Sequence, residues 1–490
     1  MASPAPVRLT DTLTLEYRTD NQNGERDDDH YAAVVNRLNL TANAENIATS
    51  VRVDAMGFYD SPATWHRNDA RVERLNVRYR LGNWTLQAGD FYRQLGRGIL
   101  LALRKVDEVG VDIGVRGGQV GYAGQSHQFG VFAGRVNVIN MDNFKQRFIE
   151  DPDDILAGGW YVFQGLKRIK PGMHYLYRRN RVKVALAETY DASTNLGITA
   201  EIPDLWDFGS LYGEGDFQQI RIGDQVREGK AAYGLLDVFF ADTTILVEGL
   251  YLDAFVQEGS ENQYGEYPRY NQAPTLDRID QQTSLGENEW GTRVRVEEAF
   301  LEGNFVVYVN GMLKRINPGE ANEFEQYHGY TGAEMQYQNG RSSFQINGGF
   351  REENTVASGR EGLIQTMVHG GYDYLQYLTS GYALNLSGLV EHRTLADGDN
   401  IRGSQFVGLE KSGLGSITFE YGIDTTDDSP GLRTQYYAGM LSAKLVDWMQ
   451  LRMVGGTQRG GLKCVGGICR IYPSFAGYRL EFLGNHDLGG

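Results

Sequence analysis

Apolar and polar residues alternate in runs along nearly the whole chain, and this pattern restricts the fold more than any other feature of the sequence. Residues 12–18 read T-L-T-L-E-Y-R, residues 74–81 read R-L-N-V-R-Y-R-L, and residues 416–421 read S-I-T-F-E-Y. Because successive side chains of a β-strand point to opposite faces, each run predicts a strand with one apolar and one polar face. Charges on one face and aromatic residues on the other are typical of a closed barrel with lipid outside and water inside.

The links between the predicted strands are alternately short and long. Asn339-Gly340 separates the runs at 330–338 and 341–351, and Asn-Gly is a strong hairpin signal. Links on the other side are longer and polar, as at 317–326 and 425–431. Short and long links alternate strictly from about residue 230 onward. This is typical of outer-membrane barrels, which have short periplasmic turns and long extracellular loops.

We therefore predict an all-β fold: a transmembrane, antiparallel, up-and-down β-barrel of about 22 strands, within a range of about 20–26. Residues 1–490 are read as a single domain, because no linker or change of composition divides them. The strand pattern is weakest between 95 and 229. There, residues 95–114 include a helix-like stretch at 97–112 and are predicted to fold into the lumen as an insert. Residues 138–173 and 257–290 are predicted to be long external loops.

Composition agrees with a barrel and not with a bundle of spanning helices. Mean hydropathy is −0.42, and no stretch approaches the roughly 18 apolar residues of a spanning helix. The chain has 62 Gly and 29 Tyr but only 11 Pro, as expected where strands need every backbone donor. A soluble solenoid would show a fixed short repeat, which is absent, and a sandwich would use Greek-key crossings. Aromatic residues also gather near strand ends, where a membrane-interface girdle belongs.

Several of the polar faces carry full charges of both signs. A barrel of about 22 strands encloses a lumen too wide for side chains to fill, and water, a plug or a partner must occupy it. We interpret these charges as lining the lumen, either along a water channel or in ion pairs that stabilise the wall. The candidates are Arg74, Arg78, Arg80, Arg293, Arg295, Glu297, Glu420, Arg479 and Glu481.

A basic cluster lies in the weakly patterned part of the chain. It comprises Lys167, Arg168, Lys170, Arg178, Arg179, Arg181 and Lys183. At a lumen mouth the cluster would attract anions; against lipid headgroups it would bind lipopolysaccharide phosphates; on a solvated face it would bind nothing. The net charge of −16 argues against nucleic acid as the main partner. His174, which lies within the cluster, is expected in a loop.

The two cysteines lie close together in the sequence C-V-G-G-I-C. Two intervening glycines permit a small disulfide ring, and an extracellular or periplasmic location permits oxidation. A metal site needs more ligands, and no histidine lies nearby. We therefore predict a disulfide between Cys464 and Cys469 and no metal site.

The sequence carries no recognisable catalytic motif. The chain has neither a G-x-S-x-G elbow, nor H-E-x-x-H, nor a P-loop. Its eight histidines are scattered. We predict that the protein is not an enzyme and needs no cofactor.

The whole chain resembles porin-like outer-membrane β-barrels of Gram-negative bacteria. Residues 95–114 (L-G-R-G-I-L-L-A-L-R-K-V-D-E-V-G-V-D-I-G), with the closing stretch 464–482, resemble an uncharacterised barrel family. The resemblance implies no activity and no site residue. The chain is also similar in size to the porin sheaths that enclose multihaem cytochromes. It has no C-x-x-C-H, so any haem would belong to a partner.

Three functions fit this pattern. The first is an outer-membrane channel for passive or mildly selective diffusion of polar solutes. The second is a structural barrel that sheaths or anchors a partner protein, and the third is gated uptake of a bulky ligand. The expected partners are outer-membrane lipid and lipopolysaccharide, with a periplasmic, lipoprotein or lumen-filling protein as an alternative. The N-terminus lacks the basic and apolar regions of a signal peptide, and we expect a mature sequence from which the signal has been removed.

Overall fold

The computed structural model describes residues 7–107, 110–142, 145–184, 187–277, 287–356, 362–395, 398–426, 429–465 and 468–488, without the side chains of 182–190, 363 and 462–471. Within them, 24 strands form one closed antiparallel barrel with almost no helix. The first twelve strands are β1 (Val7–Arg18), β2 (Tyr31–Ala44), β3 (Ile47–Tyr59), β4 (Asp69–Leu81), β5 (Trp84–Phe91), β6 (Val111–Ala123), β7 (His127–Val138), β8 (Ile155–Phe163), β9 (Lys170–Val184), β10 (Ala187–Ile202), β11 (Gly209–Ile222) and β12 (Gln225–Phe240). The other twelve are β13 (Thr243–Asp253), β14 (Glu289–Phe300), β15 (Phe305–Ile316), β16 (Phe324–Tyr337), β17 (Ser342–Thr355), β18 (Gly362–Tyr377), β19 (Tyr382–Leu395), β20 (Gly398–Lys411), β21 (Gly415–Asp424), β22 (Gln435–Val446), β23 (Met449–Gln458) and β24 (Phe475–Asp487).

Each strand pairs with its neighbours in the chain, and the first strand pairs with the last. The β1–β24 ladder runs from Arg8 opposite Asp487 to Arg18 opposite Gly477. This ladder leaves the barrel no free edge, which removes the usual template for aggregation. The predicted all-β, up-and-down closed barrel is confirmed, with 24 strands where about 22 were expected.

One strand that the predicted count missed is β8. This strand lies inside the stretch 138–173 that the sequence indicated as one long loop. Its sequence, I-L-A-G-G-W-Y-V-F, does not alternate, because its inner face is apolar too. Leu156 is fully buried on that face, and a strand covered on both sides loses the period-two signal.

The two faces of the barrel wall differ in polarity. The outward face exposes large apolar side chains, among them Val309, Val407, Phe419 and Tyr478. The inward face carries the charged and small polar residues. Not every aromatic near a strand end joins the outer face: Phe91, Tyr330 and Tyr436 are buried. No helix among the described residues is long and apolar enough to cross a membrane.

The links that follow odd-numbered strands all lie at one end of the barrel, since successive strands run in opposite directions. The long links 92–110, 139–154, 254–288 and 459–474 are at that end. The links at the other end are mostly tight turns, including the predicted turn at Asn339-Gly340, where both residues have positive φ. A short hairpin of Gly461–Val465 with Ile468–Tyr472 lies between β23 and β24.

Residues 97–106 form no helix in the structure. Gln94–Leu95 pairs with Leu101–Ala102, Lys105–Val106 pairs with the start of β6, and β6 begins at Val111. The link therefore spans 92–110, and the last four residues of the predicted 95–114 insert belong to the barrel wall. The apolar run inside it suggested a helix, but that run is buried on all sides.

Candidate functional site

The link 92–110 packs against the inner wall of the barrel. Ile99, Leu100 and Leu101 are completely buried. They belong to one apolar cluster with wall residues that include Leu176 of β9 and Met312 of β15. The largest apolar core of the described chain therefore lies inside the barrel.

A second long link covers the first. The backbone N–H of Gln272 donates to the Gly98 carbonyl at 2.7 Å, and that of Ala102 donates to the Tyr270 carbonyl at 2.8 Å. The side-chain amide of Asn271 donates to the Ile99 carbonyl at 2.9 Å. These bonds satisfy backbone groups that burial would otherwise leave unpaired.

Asp154 anchors this second link at the foot of β8. Its carboxylate accepts hydrogen bonds from the Ser260 backbone N–H at 2.8 Å and from the Tyr270 hydroxyl. Asp154 and Tyr270 are both fully buried. Burial, together with the Asp154 carboxylate, raises the pKa of the Tyr270 hydroxyl, which stays protonated and keeps donating.

An ion triad holds the far end of the same link. Lys314 of β15 places Nζ 3.2 Å from Asp277 in the link and 3.0 Å from Glu289 at the start of β14. All three side chains are buried. One ammonium between two carboxylates is a fully desolvated cluster, which is costly to break.

The link 139–154 reaches across to the first strands. The Gln146 side-chain amide donates to Glu16 of β1 at 2.7 Å and accepts the hydroxyl of Tyr31 of β2. Met141 packs with Val35 and Met56 on the inner wall. The described parts of links 92–110, 139–154 and 254–288 thus form one body, which we call the lumen insert.

A salt-bridge cluster joins two parts of the lumen insert. Glu266 accepts a hydrogen bond from Lys145 Nζ at 2.8 Å and pairs with Arg147. Burial acts to raise the pKa of Glu266, but the hydrogen bond from Lys145 and the charge of Arg147 outweigh it and lower the pKa below its usual 4.5.

We expect this contact to weaken in acid. A carboxylate with a lowered folded-state pKa stabilises fully above its ordinary pKa, and this contribution disappears as the pH falls through the lowered value. Single-channel conductance of the folded protein should therefore rise as the pH falls through the lowered pKa of Glu266, below 4.5. Glu266→Gln should remove this rise, whereas Glu261→Gln, an exposed position nearby, should retain it. A pH response that is unchanged in Glu266→Gln contradicts the assignment.

Five of the nine lumen-lining candidates form ion pairs within the described chain, and the lumen-lining role of all nine stays a prediction. Arg74 lies 2.8 Å from Asp112 and Arg479 lies 2.6 Å from Glu16. The remaining contacts are Arg293 with Glu248, Arg295 with Glu297 at 2.5 Å, and Glu420 with Gln458 at 2.8 Å.

Arg78 and Arg80 form no ion pair within the described chain. Arg78 borders an inner cavity of about 430 Å³ that Thr41, Ser50 and Asn76 also line. A wall with unpaired guanidinium groups and hydroxyls suits hydrated, polar solutes.

The basic cluster is not one surface. Lys167 and Arg168 are exposed in the link between β8 and β9. Arg178 is buried on the inner face, where it donates to the Glu258 carbonyl and lies 3.6 Å from Asp191. The remaining members are Lys170, which pairs with Glu201 at 3.0 Å, the half-buried Arg179 and Arg181, and Lys183, whose side chain lies outside the described part.

Two further sequence predictions concern Cys464, Cys469 and His174. The backbone pairs Cys464 directly with Cys469 across their hairpin, but both side chains lie outside the described part, and the disulfide stays a prediction.

His174 is not in a loop as expected. It is buried in β9, where its Nε2 lies 2.7 Å from Asp216; no local pattern signals a partner two strands away.

The inner wall opposite the apolar cluster was not recognised from the sequence. Small polar side chains of β17–β22 point inward there and are partly exposed. They include Asn347, Ser387, Ser404, Ser416 and Ser442. Small polar residues at alternate positions were the only available signal.

No protein-family model and no curated protein matches this chain. Solved structures to which this chain is similar include outer-membrane β-barrels. The P pilus usher PapC translocation pore is 11% identical to this chain, with a TM-score of 0.48; the match covers 98% of this chain and 100% of the PapC chain. The Pseudomonas aeruginosa siderophore receptor PirA is 8% identical, with coverages of 99% and 81% and a TM-score of 0.49. P. aeruginosa OccK3 (OpdO) is 11% identical, with coverages of 73% and 92% and a TM-score of 0.43. The closed ladder itself, rather than these similarities, carries the fold assignment.

Proposed function

We propose that this protein is an outer-membrane channel for small polar solutes, narrowed on one side by the lumen insert. Its apolar outward face suits lipid, and its polar inward face suits water. In this arrangement the short-link end is periplasmic and the long-link end, which carries the lumen insert, is external. Lipid and lipopolysaccharide are then its immediate partners.

One observation carries the proposal: the lumen insert covers only part of the wall. Its apolar cluster includes wall residues from β5–β9, β12, β13 and β15, and none from β16–β24 among the described residues. The lumen insert also contacts β16, where the Gln326 side-chain amide donates to Asp277 at 3.0 Å. The uncovered wall is lined by small polar side chains such as Ser404 and Ser416, which are partly exposed. Water and hydrated solutes pass along such a wall without losing hydrogen bonds.

The mixed charges of the lumen favour weak selectivity. Most inner arginines are neutralised by carboxylates, as Arg479 is by Glu16. Arg78 and Arg80 are left to interact with solutes. Passive or mildly selective diffusion, with a preference for anions near β4, is the expected behaviour.

Cysteine labelling on β20 tests the channel directly. Ser404→Cys places a thiol on the uncovered inner wall, and attachment of a bulky charged methanethiosulfonate should reduce single-channel conductance in a planar bilayer. Val407→Cys, on the outward face of the same strand and 50% exposed, is the matched control and should leave conductance unchanged. An equal effect at both positions, or none at Ser404→Cys in a conducting protein, contradicts the proposed path.

Gated uptake of a bulky ligand is the second candidate, and the tight docking of the lumen insert favours it. The complete burial of Ile99–Leu101 is typical of a closed state more than of an open pore. Correctly folded protein that is silent in the bilayer, and conducts only when the insert is loosened, would support this alternative over the open channel. The sheath function has less support, because the chain's own insert already covers the apolar inner wall.

A further inference from the structure

Three buried side chains on neighbouring strands converge on the inner wall. His174 lies in β9, and Glu214 and Asp216 lie in β11, with β10 between them. His174 Nε2 is 2.7 Å from Asp216 Oδ1 and 3.8 Å from Glu214 Oε1. One potential ligand atom from each residue lies within 4.8 Å of the others.

A glycine in the intervening strand allows this convergence. A Cβ at Gly197 of β10 would lie 2.0 Å from both His174 Nε2 and Asp216 Oδ1. Any other residue at this position would separate the two side chains. The wall is therefore open at the point where an ion would be held.

Two oxygens of this group have no hydrogen-bond partner in the described chain. They are Glu214 Oε1 and Asp216 Oδ2, and each residue is only 5% exposed. The other oxygen of Glu214 is satisfied, because it accepts the Arg97 backbone N–H at 2.7 Å and the Tyr212 hydroxyl at 2.6 Å. Orphan carboxylate oxygens are costly when buried, and a bound cation removes that cost.

We propose that His174, Glu214 and Asp216 bind a divalent transition-metal cation, with Zn²⁺ or Mn²⁺ as the best fit. One imidazole and two carboxylates supply three ligands, and water completes the coordination. Metal–ligand bonds of about 2.0–2.2 Å place tetrahedral ligand atoms about 3.4 Å apart. The distances from His174 Nε2 to the two carboxylates, 2.7 Å and 3.8 Å, lie on either side of this value. Ca²⁺ would need about six to eight oxygens.

The bound cation would fasten the lumen insert to the wall. Glu214 would coordinate the cation through one oxygen while its other oxygen holds the Arg97 N–H. Gly96 approaches the same carboxylate so closely that a Cβ there would lie 2.0 Å from Glu214 Oε1. Cation binding and docking of the link 92–110 are therefore coupled through one side chain.

Isothermal titration of metal-free, detergent-folded full-length protein with Zn²⁺ and with Mn²⁺ tests the site. We expect one equivalent to bind, with affinity reduced at least tenfold in both His174→Asn and Asp216→Asn. The matched control is His328→Asn, which removes another buried inner-wall histidine, hydrogen-bonded to His369 at 2.8 Å; its affinity should be unchanged. Absence of binding, or binding lost in the control and kept in His174→Asn, overturns the proposal.

A second measurement needs no variant. Removal of metal by EDTA should lower the temperature at which the wild-type barrel unfolds, as read from heat-modifiable gel mobility, and added Zn²⁺ should restore it. An unfolding temperature that does not respond to either treatment counts against the site. Neither readout depends on conduction, and the metal site and the channel proposal fail independently.

Discussion

Replacement of Lys314 by Met is expected to lower the free energy of unfolding by about 3–5 kcal/mol. Lys314 is 1% exposed, and its ammonium is the shared partner of Asp277 and Glu289. Methionine preserves the bulk of the side chain but removes the positive charge that lies between the two buried carboxylates. The loss should also loosen the link that carries Asp277.

The measurement is the unfolding temperature in detergent, followed by heat-modifiable gel mobility. Lys444→Met is the control, since Lys444 pairs with an almost fully exposed Asp447 and such pairs contribute about 0–1 kcal/mol. Adding Asp277→Asn and Glu289→Gln to Lys314→Met should recover part of the loss, because the two buried side chains are then neutral. Equal effects of the Lys314 and Lys444 variants contradict the argument.

Replacement of Tyr270 by Ala should release the lumen insert and increase single-channel conductance. The side chain is completely buried and bonded to Asp154, and truncating a buried aromatic residue costs about 3–5 kcal/mol. The Tyr270 carbonyl also receives the Ala102 N–H, so disorder at this position should spread to the link 92–110. The expected result is larger and less steady conductance steps.

Tyr267→Ala is the matched control, because Tyr267 lies in the same link and is 54% exposed. Tyr270→Phe separates packing from hydrogen bonding: it should cost about 1–3 kcal/mol by leaving Asp154 short of one donor. Conductance that stays the same in a correctly folded Tyr270→Ala protein would show that the lumen insert does not restrict the conducting path.

Prediction from the sequence succeeded where a strand has one face in water. The run R-V-R-V at 293–296 alternates, and β14 indeed directs Arg293 and Arg295 inward while Val294 and Val296 are exposed outside. It failed where a strand is covered on both faces. β8 lost its alternation because Leu156 faces the lumen insert, and it was read as part of a loop.

The candidate site was harder to predict than the fold, because its side chains meet partners that are far away in the sequence. Lys314 lies 37 residues from Asp277 in the chain, and His174 lies 42 residues from Asp216. No local pattern relates residues that far apart. The basic cluster shows the opposite case: residues that are close in sequence need not form one surface. Its members are divided between the inner wall and the ends of β9.

The sequence by itself determined the all-β barrel, its up-and-down order and the identity of its inner and outer faces, because alternation and turn residues are local properties of the chain. Only the tertiary structure decided the number of strands, the folding of the described parts of links 139–154 and 254–288 into the lumen, and the partners of the buried charges. Those features depend on which distant residues meet after the barrel closes. Closure brings Gly197 between His174 and Asp216, and no stretch of sequence records that meeting.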